Sequence, residues 1–322
     1  LRILEMMTRA IVTGAAGFIG SHLSEKLLAE GYTILGIDNF DPWYDPEIKK
    51  TNINNCLLHD NFDLIDADIR SVDFLSLFKE GDTVFHLAAR PGVQDSWGNG
   101  FADSVENNIY GTQRIFEAAL HTGVRRVVFA SSSSIYGASA TDLKREVHPI
   151  SPYGVSKAAC EQLAEVYRER GLDLVPLRYF TVYGPRQRPD MAMNRLFRAA
   201  LPGSFRFPLR GNGSQRREFT FVKDVVNATI AAGYTLKNVS SEAFDIGGGV
   251  SASLAEVMGI VEEITGASIR VDQHPIAAGD PLITVASTES AKELLGWEAT
   301  TSLRDGLQEH YASFSGSLTS VS

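Results

Sequence analysis

The chain has 322 residues, which is long enough for one large α/β domain or for two smaller ones. With 44% hydrophobic and 21% charged residues, its composition is that of an ordinary globular protein and excludes wholesale disorder. The net charge of −9 argues against a general nucleic-acid binder and against a protein that binds anionic membranes.

Targeting and crosslinking signals are also missing. No apolar run approaches the roughly 20 residues that span a bilayer, and the opening residues, LRILEMMTRAIV, lack the long apolar stretch of a signal peptide. Two cysteines, Cys56 and Cys160, give no disulfide framework, and the seven histidines show no pair at ligand spacing. We therefore predict a cytoplasmic protein without a membrane segment and without a protein-built metal site.

The first half of the chain alternates strand and helix patterns. RAIVTG (9–14) is a short β-branched run ending in glycine, which is typical of a buried strand. A helical pattern, FIGSHLSEKLLAEGY, follows and ends near Gly31. The remaining strand patterns are 33–40, 62–68, 83–89, 125–132 and 173–179, and the remaining helical patterns are 72–78, 101–122 and 153–170. This alternation predicts an α/β fold with a Rossmann-like, doubly wound parallel sheet.

The pattern changes after about residue 180, where the chain becomes rich in proline, glycine and arginine. Helical patterns return at 222–236, 253–265, 287–295 and 303–314. We predict one domain over residues 1–180 and mainly a second, smaller domain over residues 181–322, closing over a cleft. Some residues of the second segment, 181–322, could instead cross back and belong to the first domain, and this alternative stays open.

A glycine-rich turn, TGAAGFIG, joins the first strand to the first helix. Gly14 is expected to make the tight turn, Gly17 to admit a pyrophosphate close to backbone N–H groups, and Gly20 to let the helix pack on the strand. The positive end of the helix dipole then faces the phosphates. A glycine pattern alone is weak evidence, so the alternative is a glycine turn in a fold that binds nothing.

An acid follows this turn at the end of the second strand. Asp38 comes 18 residues after Gly20, where a carboxylate accepts both hydroxyls of an adenosine ribose and repels a 2′-phosphate. The predicted cofactor is therefore NAD rather than NADP, bound by the domain over residues 1–180. Asp68 and Ile69, just after the third strand, are expected to face the adenine.

A tyrosine and a lysine lie four residues apart in SPYGVSKAACEQL (151–163). On a helix Tyr153 and Lys157 share one face, and such a pair alone is also typical of a solvated surface. Beside an NAD site, the Lys157 ammonium favours the phenolate of Tyr153, which then removes a hydroxyl proton while hydride leaves the same carbon. The serine run ASSSSIYG ends a strand about twenty residues earlier, and one of its serines is expected to bind the same oxygen.

Further motifs run through nearly the whole chain: HLAAR, ENNIYGT, RYFTVYGPRQRPDM, GNGSQRREFTFVKDVV, and GDP followed by ELLGW. With TGAAGFIGSHL, SSSSIYG and YGVSK they resemble the extended short-chain dehydrogenase/reductases, specifically the NAD-dependent nucleotide-sugar epimerase/dehydratase family. The resemblance implies a homodimer paired through helices like 101–122 and 153–170. It also implies that Ser132, counted back from Tyr136, is catalytic with Tyr153 and Lys157. The implied NAD contacts are Gly14, Gly17, Phe18, Ile19, Asp38, Asn39, Asp68, Ile69, Leu87, Ala88, Ala89, Tyr153, Lys157 and Tyr179.

The same resemblance implies a first step shared by the family, oxidation at C4 of a nucleotide sugar to a 4-keto intermediate. Dehydratases carry two acids where this chain has Ser133 and Ser134, and UDP-glucuronate decarboxylases carry a glutamate at the position of Ser134. Cys160, inside a buried-looking helix, is a poor nucleophile for dehydrogenation to a sugar acid. What remains is return of the hydride to the opposite face of the keto sugar, which is 4-epimerisation.

An arginine-rich segment predicts an anion site for a UDP-sugar in the second domain. Between residues 186 and 217 one acid, Asp190, stands against eight arginines: Arg186, Arg188, Arg195, Arg198, Arg206, Arg210, Arg216 and Arg217. By resemblance Arg217 pairs with the diphosphate, Asp280 lies near the nucleotide, and Arg210 belongs to the same predicted site. Alanines precede Gly279 and Asp280 where many relatives have an arginine, a departure from the family pattern.

The stretch RYFTVYGPRQRPDM is most similar to UDP-glucuronate 4-epimerases, whereas many glucose epimerases have RYFN. Thr181 is expected to hydrogen-bond a C6 carboxylate, and Arg188 to donate two parallel hydrogen bonds to it. Ser133 and Ser134 are expected to complete the polar surroundings of the carboxylate. Firm binding of that carboxylate also resists decarboxylation of the β-keto acid. UDP-glucuronate is therefore the predicted substrate. A 4-epimerase of neutral UDP-glucose or UDP-N-acetylglucosamine, and a non-catalytic NAD-binding sensor or scaffold, remain open alternatives.

Overall fold

The computed structural model describes residues 9–139, 146–239, 242–275 and 283–319. The strands are β1 (Arg9–Thr13), β2 (Thr33–Asp38), β3 (Phe62–Asp66), β4 (Thr83–His86), β5 (Arg126–Ser132), β6 (Leu174–Tyr179), β7 (Val182–Tyr183), β8 (Phe207–Arg210), β9 (Arg216–Glu218), β10 (Thr220–Phe221), β11 (Phe244–Ile246), β12 (Ser251–Ser253) and β13 (Val271–His274). The helices are α1 (Phe18–Ala29), α2 (Pro46–Leu57), α3 (Phe74–Leu77), α4 (Gly100–Ser104), α5 (Gly111–Thr122), α6 (Pro152–Arg168), α7 (Ala192–Ala199), α8 (Val222–Tyr234), α9 (Leu254–Thr265) and α10 (Leu303–Thr319). A π-helical turn, Val105–Tyr110, joins α4 to α5, and a 3₁₀ segment, Ser133–Ser139, follows β5.

A seven-stranded sheet forms the centre of the molecule, in the order β11-β6-β5-β4-β1-β2-β3. Every neighbouring pair in it is parallel, as expected where helices connect successive strands. The first six strands have the Rossmann order, which reverses between β1 and β4. The predicted Rossmann-like, doubly wound sheet is confirmed.

Helices cover both faces of this sheet, because alternate strand residues point to opposite faces and both sets are apolar. In β1, Ala10 and Val12 belong to a hydrophobic cluster shared with α1 and α8, whereas Ile11 belongs to a cluster shared with α5 and α6. All three side chains are fully buried. Across the described part of the chain, none of the helices is long and apolar enough to span a membrane.

Several helices differ from the sequence prediction. The patterns did not indicate α2, although Asp45, Pro46 and Glu47 are a typical helix start, in which Asp45 Oδ1 accepts the Glu47 N–H at 3.0 Å. The helix predicted at 72–78 is only the four-residue α3. The helix predicted at 287–295 contains a π-helical turn, Ala291–Leu295.

The chain returns to the central sheet after residue 180. β11 pairs with β6 at the edge of the sheet, and α8 packs against α1. The other late strands form three pairs: β7 with β10, β8 with β13, and β9 with β12. The later part of the chain therefore supplies a strand and a helix to the central layers. The domain boundary near residue 180 stays a prediction.

Candidate active site

A cavity of about 440 Å³ opens at the carboxyl ends of the central strands. Residues at or just after the ends of β1, β2, β4, β5 and β6 line it, which is where a doubly wound sheet binds its ligands. The wall includes every residue predicted to contact the cofactor: Gly14, Gly17, Phe18, Ile19, Gly20, Asp38, Asn39, Asp68, Ile69, Leu87, Ala88, Ala89, Tyr153, Lys157 and Tyr179.

The turn after β1 has a geometry that suits a pyrophosphate. Gly14 has φ +71°, a left-handed conformation, and a Cβ at this position would crowd the backbone of Ala88. A Cβ at Gly20 would collide with the carbonyl oxygen of Gly14, so only glycine lets α1 lie this close to the turn. The N-terminus of α1 has no side-chain cap and no acid in its first turn. Its N–H groups and dipole therefore suit an anion.

Asp38 ends β2 with only 7% of its surface exposed. Its Oδ2 accepts the Ala16 N–H at 3.0 Å, and its Oδ1 accepts the Phe40 N–H at 2.9 Å. The pKa of this carboxyl is raised, chiefly by burial. The Lys49 ammonium, 3.9 Å away, and the two N–H donors lower the pKa, but they offset the effect of burial only in part. Each oxygen of the carboxylate keeps a lone pair for a further donor, so Asp38 fits the ribose diol of NAD.

Asp68 is held in place by a neighbouring arginine. Arg70 donates to both of its oxygens, through Nε at 2.9 Å and Nη2 at 2.7 Å, and Asn39 Nδ2 donates to it at 3.0 Å. The pKa of Asp68 is lowered to about 2, chiefly by the hydrogen bonds from the Arg70 side chain. Asp68 and Asn39 therefore form one fixed, anionic part of the cavity wall, where the adenine is predicted.

The three predicted catalytic residues line the same cavity. Lys157 Nζ donates to the Ala130 carbonyl at 2.8 Å and lies 6.0 Å from the centroid of the Tyr153 ring. Ser132 ends β5, and its Oγ accepts the Ser134 N–H at 3.1 Å, which leaves its hydroxyl proton for a ligand oxygen. The wall thus offers a phenol, a fixed ammonium and a hydroxyl, the groups that proton transfer at a sugar hydroxyl needs.

The predicted substrate residues are only partly brought together. Four of them line the cavity with the cofactor residues: Ser133, Ser134, Thr181 and Arg188. The described residues of the cavity wall do not include Arg210, which is exposed on β8, or Arg217, which is half-buried on β9. Asp280 lies outside the described residues. The contact of Arg217 with the diphosphate, the place of Asp280 near the nucleotide and the role of Arg210 in substrate binding stay predictions.

Arg188 already has a carboxylate partner in this structure. Its Nε and Nη2 donate to the two oxygens of Asp190 at 3.0 and 2.9 Å. The Asp190 side chain is 45% exposed and that of Arg188 is 18% exposed. A guanidinium has a second edge of donors, at Nη1 and Nη2. To reach this guanidinium, a carboxylate ligand would have to bind at that edge or displace Asp190.

Several residues of the wall were not predicted from the sequence, among them Asp41, Trp43 and Arg90. The Arg90 guanidinium lies 3.8 Å from the centroid of the Trp43 ring and donates to Asp41 at 3.0 Å. These contacts join the turn after β2 to the segment after β4. The sequence signal for the turn that carries Asp41 and Trp43 was the composition of DNFDPWYDP, in which Asp and Asn side chains accept N–H groups two residues ahead.

Known proteins are similar to this sequence over most of its length. Residues 10–247 match the model of the NAD dependent epimerase/dehydratase family. A Bacillus subtilis protein described as an uncharacterized UDP-glucose epimerase is 40% identical over 310 residues, which cover 94% of this chain and 97% of the relative. The UDP-glucuronate 4-epimerase of Thermodesulfobacterium geofontis is 36% identical over 309 residues, which cover 92% and 93% of the two chains.

The fold matches a solved structure equally well. The crystal structure of UDP-glucuronic acid 4-epimerase from Bacillus cereus, in complex with UDP-glucuronic acid and NAD, is 40% identical and has a TM-score of 0.92. The match covers 96% of this chain and 99% of that one. The predicted resemblance is therefore confirmed, and the chain belongs to the NAD-dependent epimerase/dehydratase family.

Proposed function

We propose that this protein is an NAD-dependent isomerase that inverts C4 of a UDP-sugar through a 4-keto intermediate, with UDP-glucuronate as its preferred substrate. One cavity carries the proposal, because its wall contains both the nucleotide-binding edge of the sheet and Ser132, Tyr153 and Lys157. A sugar carbon that loses and regains hydride must meet the cofactor and the acid–base groups together. The family assignment supports the same reaction class.

Each group of the cavity wall has one task in this mechanism. The first-turn N–H groups of α1 would hold the pyrophosphate of NAD, and Asp38 would accept the hydroxyls of its adenosine ribose. NAD, when bound, supplies an acceptor for the C4 hydride and returns that hydride. Ser132 donates to O4 of the sugar. Lys157, fixed by the Ala130 carbonyl, stabilises the phenolate of Tyr153 by its charge.

The reaction balances without a further reagent. The phenolate of Tyr153 takes the O4 proton while C4 loses hydride, which leaves a 4-keto sugar. The sugar then presents its other face, the hydride returns to C4, and Tyr153 gives the proton back to O4. The net change is inversion at C4, with the oxidation state of the cofactor restored.

Hydroxyl groups and a guanidinium give the rest of the wall its preference for a C6 carboxylate. Ser133, Ser134 and Thr181 supply hydroxyl donors, and Arg188 supplies a cation with paired N–H groups, which suits a planar carboxylate. Neither serine is an acid or a base for water elimination. This part of the wall therefore favours UDP-glucuronate and simple return of the hydride.

A second candidate is a 4-epimerase of UDP-glucose or UDP-N-acetylglucosamine. The ion pair between Arg188 and Asp190 favours it, because an arginine already paired with an acid gains less from a substrate carboxylate. The third candidate, an NAD-binding sensor without turnover, gives no reason for Ser132, Tyr153 and Lys157 to share one cavity.

The purified protein, without added NAD, should convert UDP-glucuronate into its C4 epimer faster than it converts UDP-glucose or UDP-N-acetylglucosamine. Hydride leaves and returns in one cavity, so NAD should copurify and no NADH should accumulate. NMR of the sugar products and the NAD content of the protein check both points. A need for stoichiometric NAD, with NADH building up, contradicts the proposal. Turnover of neutral sugars alone supports the second candidate.

We also propose a homodimer that pairs through the α4–α5 and α6 helices. Four large apolar side chains of this region are between 46% and 56% exposed: Phe101, Tyr110, Val155 and Val166. A four-helix arrangement about a two-fold axis would bury such side chains.

The cytoplasmic location also stays a prediction, which fractionation of expressing cells would test.

Light scattering should therefore give about twice the chain mass of 35.1 kDa. Val166→Glu should yield monomers, because it places a charge in the proposed apolar interface. Leu236→Glu is the matched control, since Leu236 is 98% exposed and lies on neither helix. A wild-type monomer at micromolar concentration would defeat the dimer.

A further inference from the structure

The backbone of Tyr153 is connected at both its N–H and its carbonyl to the segment from Arg90 to Ser96, of which Arg90 to Val93 line the cavity. The N–H donates directly to Ser96 Oγ at 3.0 Å. The carbonyl accepts a hydrogen bond from Ser156 Oγ at 2.8 Å, and Ser156 Oγ accepts one from Asn108 Nδ2 at 2.9 Å. Asn108 in turn accepts the Arg90 N–H at 2.7 Å and donates to the Arg90 carbonyl at 3.1 Å.

The same segment reaches the cofactor side of the cavity. Arg90 and Val93 line the cavity, and the Arg90 guanidinium stacks on Trp43 in the turn after β2. Ser96 Oγ donates to the Val93 carbonyl at 2.8 Å, so a single hydroxyl joins the cavity wall to the N–H of Tyr153. Ser96 is only 2% exposed, which closes this hydroxyl off from bulk water.

The first turn of α6 shows why a residue from another part of the chain is needed here. Pro152 occupies the first helical position and has no N–H, and the Gly154 N–H is taken by the capping side chain of Ser151 at 3.1 Å. The N–H between them belongs to Tyr153, and Ser96 accepts it. Ser151 therefore fixes where the helix begins, and Ser96 fixes where Tyr153 lies relative to the cavity wall.

We propose that Ser96 is a positioning residue for the acid–base tyrosine, which it ties to the cofactor-lined wall so that the phenol stays within reach of the sugar O4. The proposal rests on the role given to Tyr153 in the proposed function. A displacement of about 1 Å can cost a reaction about 10²-fold in rate. Loss of this tie therefore lowers kcat more than it changes the binding of a UDP-sugar.

The test compares Ser96→Ala with Ser151→Ala, which removes the hydrogen bond to the next N–H of the same helix. Both variants should lower Tm by about 2–4 °C. Ser96→Ala should lower kcat roughly 10-fold or more, with KM within about twofold of wild type. Ser151→Ala should keep kcat within about twofold of wild type. Wild-type turnover is measured first, because its absence refutes the proposed function rather than this role of Ser96.

Two isosteric variants separate the hydroxyl from packing. Ser96→Thr keeps the hydroxyl and should retain turnover, whereas Ser96→Val has the same shape without it and should lose kcat as Ser96→Ala does. This pair also decides the matter if Ser96→Ala does not fold. Equal kcat in the threonine and valine variants overturns the proposal. So does an equal loss of kcat in Ser96→Ala and Ser151→Ala, because Ser96 would then be only a helix cap.

Discussion

Replacing Tyr153 with phenylalanine should lower turnover on the order of 10²- to 10⁴-fold while NAD stays bound. The phenylalanine ring still packs against the cavity wall, but it has no oxygen to take or return the O4 proton. Both the oxidation of C4 and the return of hydride depend on that oxygen, so neither half of the reaction escapes the loss. Turnover of UDP-glucuronate, measured beside the NAD content of the purified variant, checks the expectation.

Two companion variants show whether the loss comes from this hydroxyl. Tyr311→Phe removes a hydroxyl from a ring that packs on Phe197, away from the residues that line the cavity, and should leave turnover unchanged. Ser132→Ala removes one hydrogen bond to O4 and should cost less, on the order of 10²-fold. Near-normal turnover of Tyr153→Phe would mean that the acid–base assignment is wrong.

The predictable part of the site depends on local geometry. A parallel, doubly wound sheet collects the carboxyl ends of its strands at one edge, so residues that follow different strand patterns lie around one cavity. Gly14 and Asp38 follow β1 and end β2, and they meet there although 24 residues separate them. Tyr153 and Lys157 needed only the spacing of one helical turn. The family motifs added the choice of Ser132.

The unpredicted part depends on packing between distant segments. Arg90 meets Asp41 across 49 residues, and Ser96 accepts the Tyr153 N–H across 57 residues. No local pattern distinguishes such an arginine or serine from a solvated one. β11 was missed for another reason, because three residues are too few to show a strand period. Arg188 and Asp190 are close in sequence, but the orientation of their ion pair depends on how the proline-rich loop between β7 and α7 folds.

Replacing Arg188 with alanine should change which UDP-sugar the protein prefers. A guanidinium facing a C6 carboxylate in a cavity contributes roughly 1.5–3 kcal/mol as a charge-assisted hydrogen bond. At about 1.4 kcal/mol per factor of ten, its removal should lower kcat/KM for UDP-glucuronate by about 10- to 100-fold. UDP-glucose carries a neutral hydroxymethyl group at the same position, so its kcat/KM should scarcely change.

The measured quantity is the ratio of kcat/KM for UDP-glucuronate to that for UDP-glucose, in wild type and in Arg188→Ala. Arg198→Ala is the matched control, because Arg198 is exposed on α7 and its loss changes the net charge equally. The control should leave the ratio where it is. If Arg188 instead supports the proline-rich loop or meets the diphosphate, Arg188→Ala damages both substrates alike. A ratio that does not move in Arg188→Ala therefore removes this arginine, now paired with Asp190, from the recognition of the carboxylate.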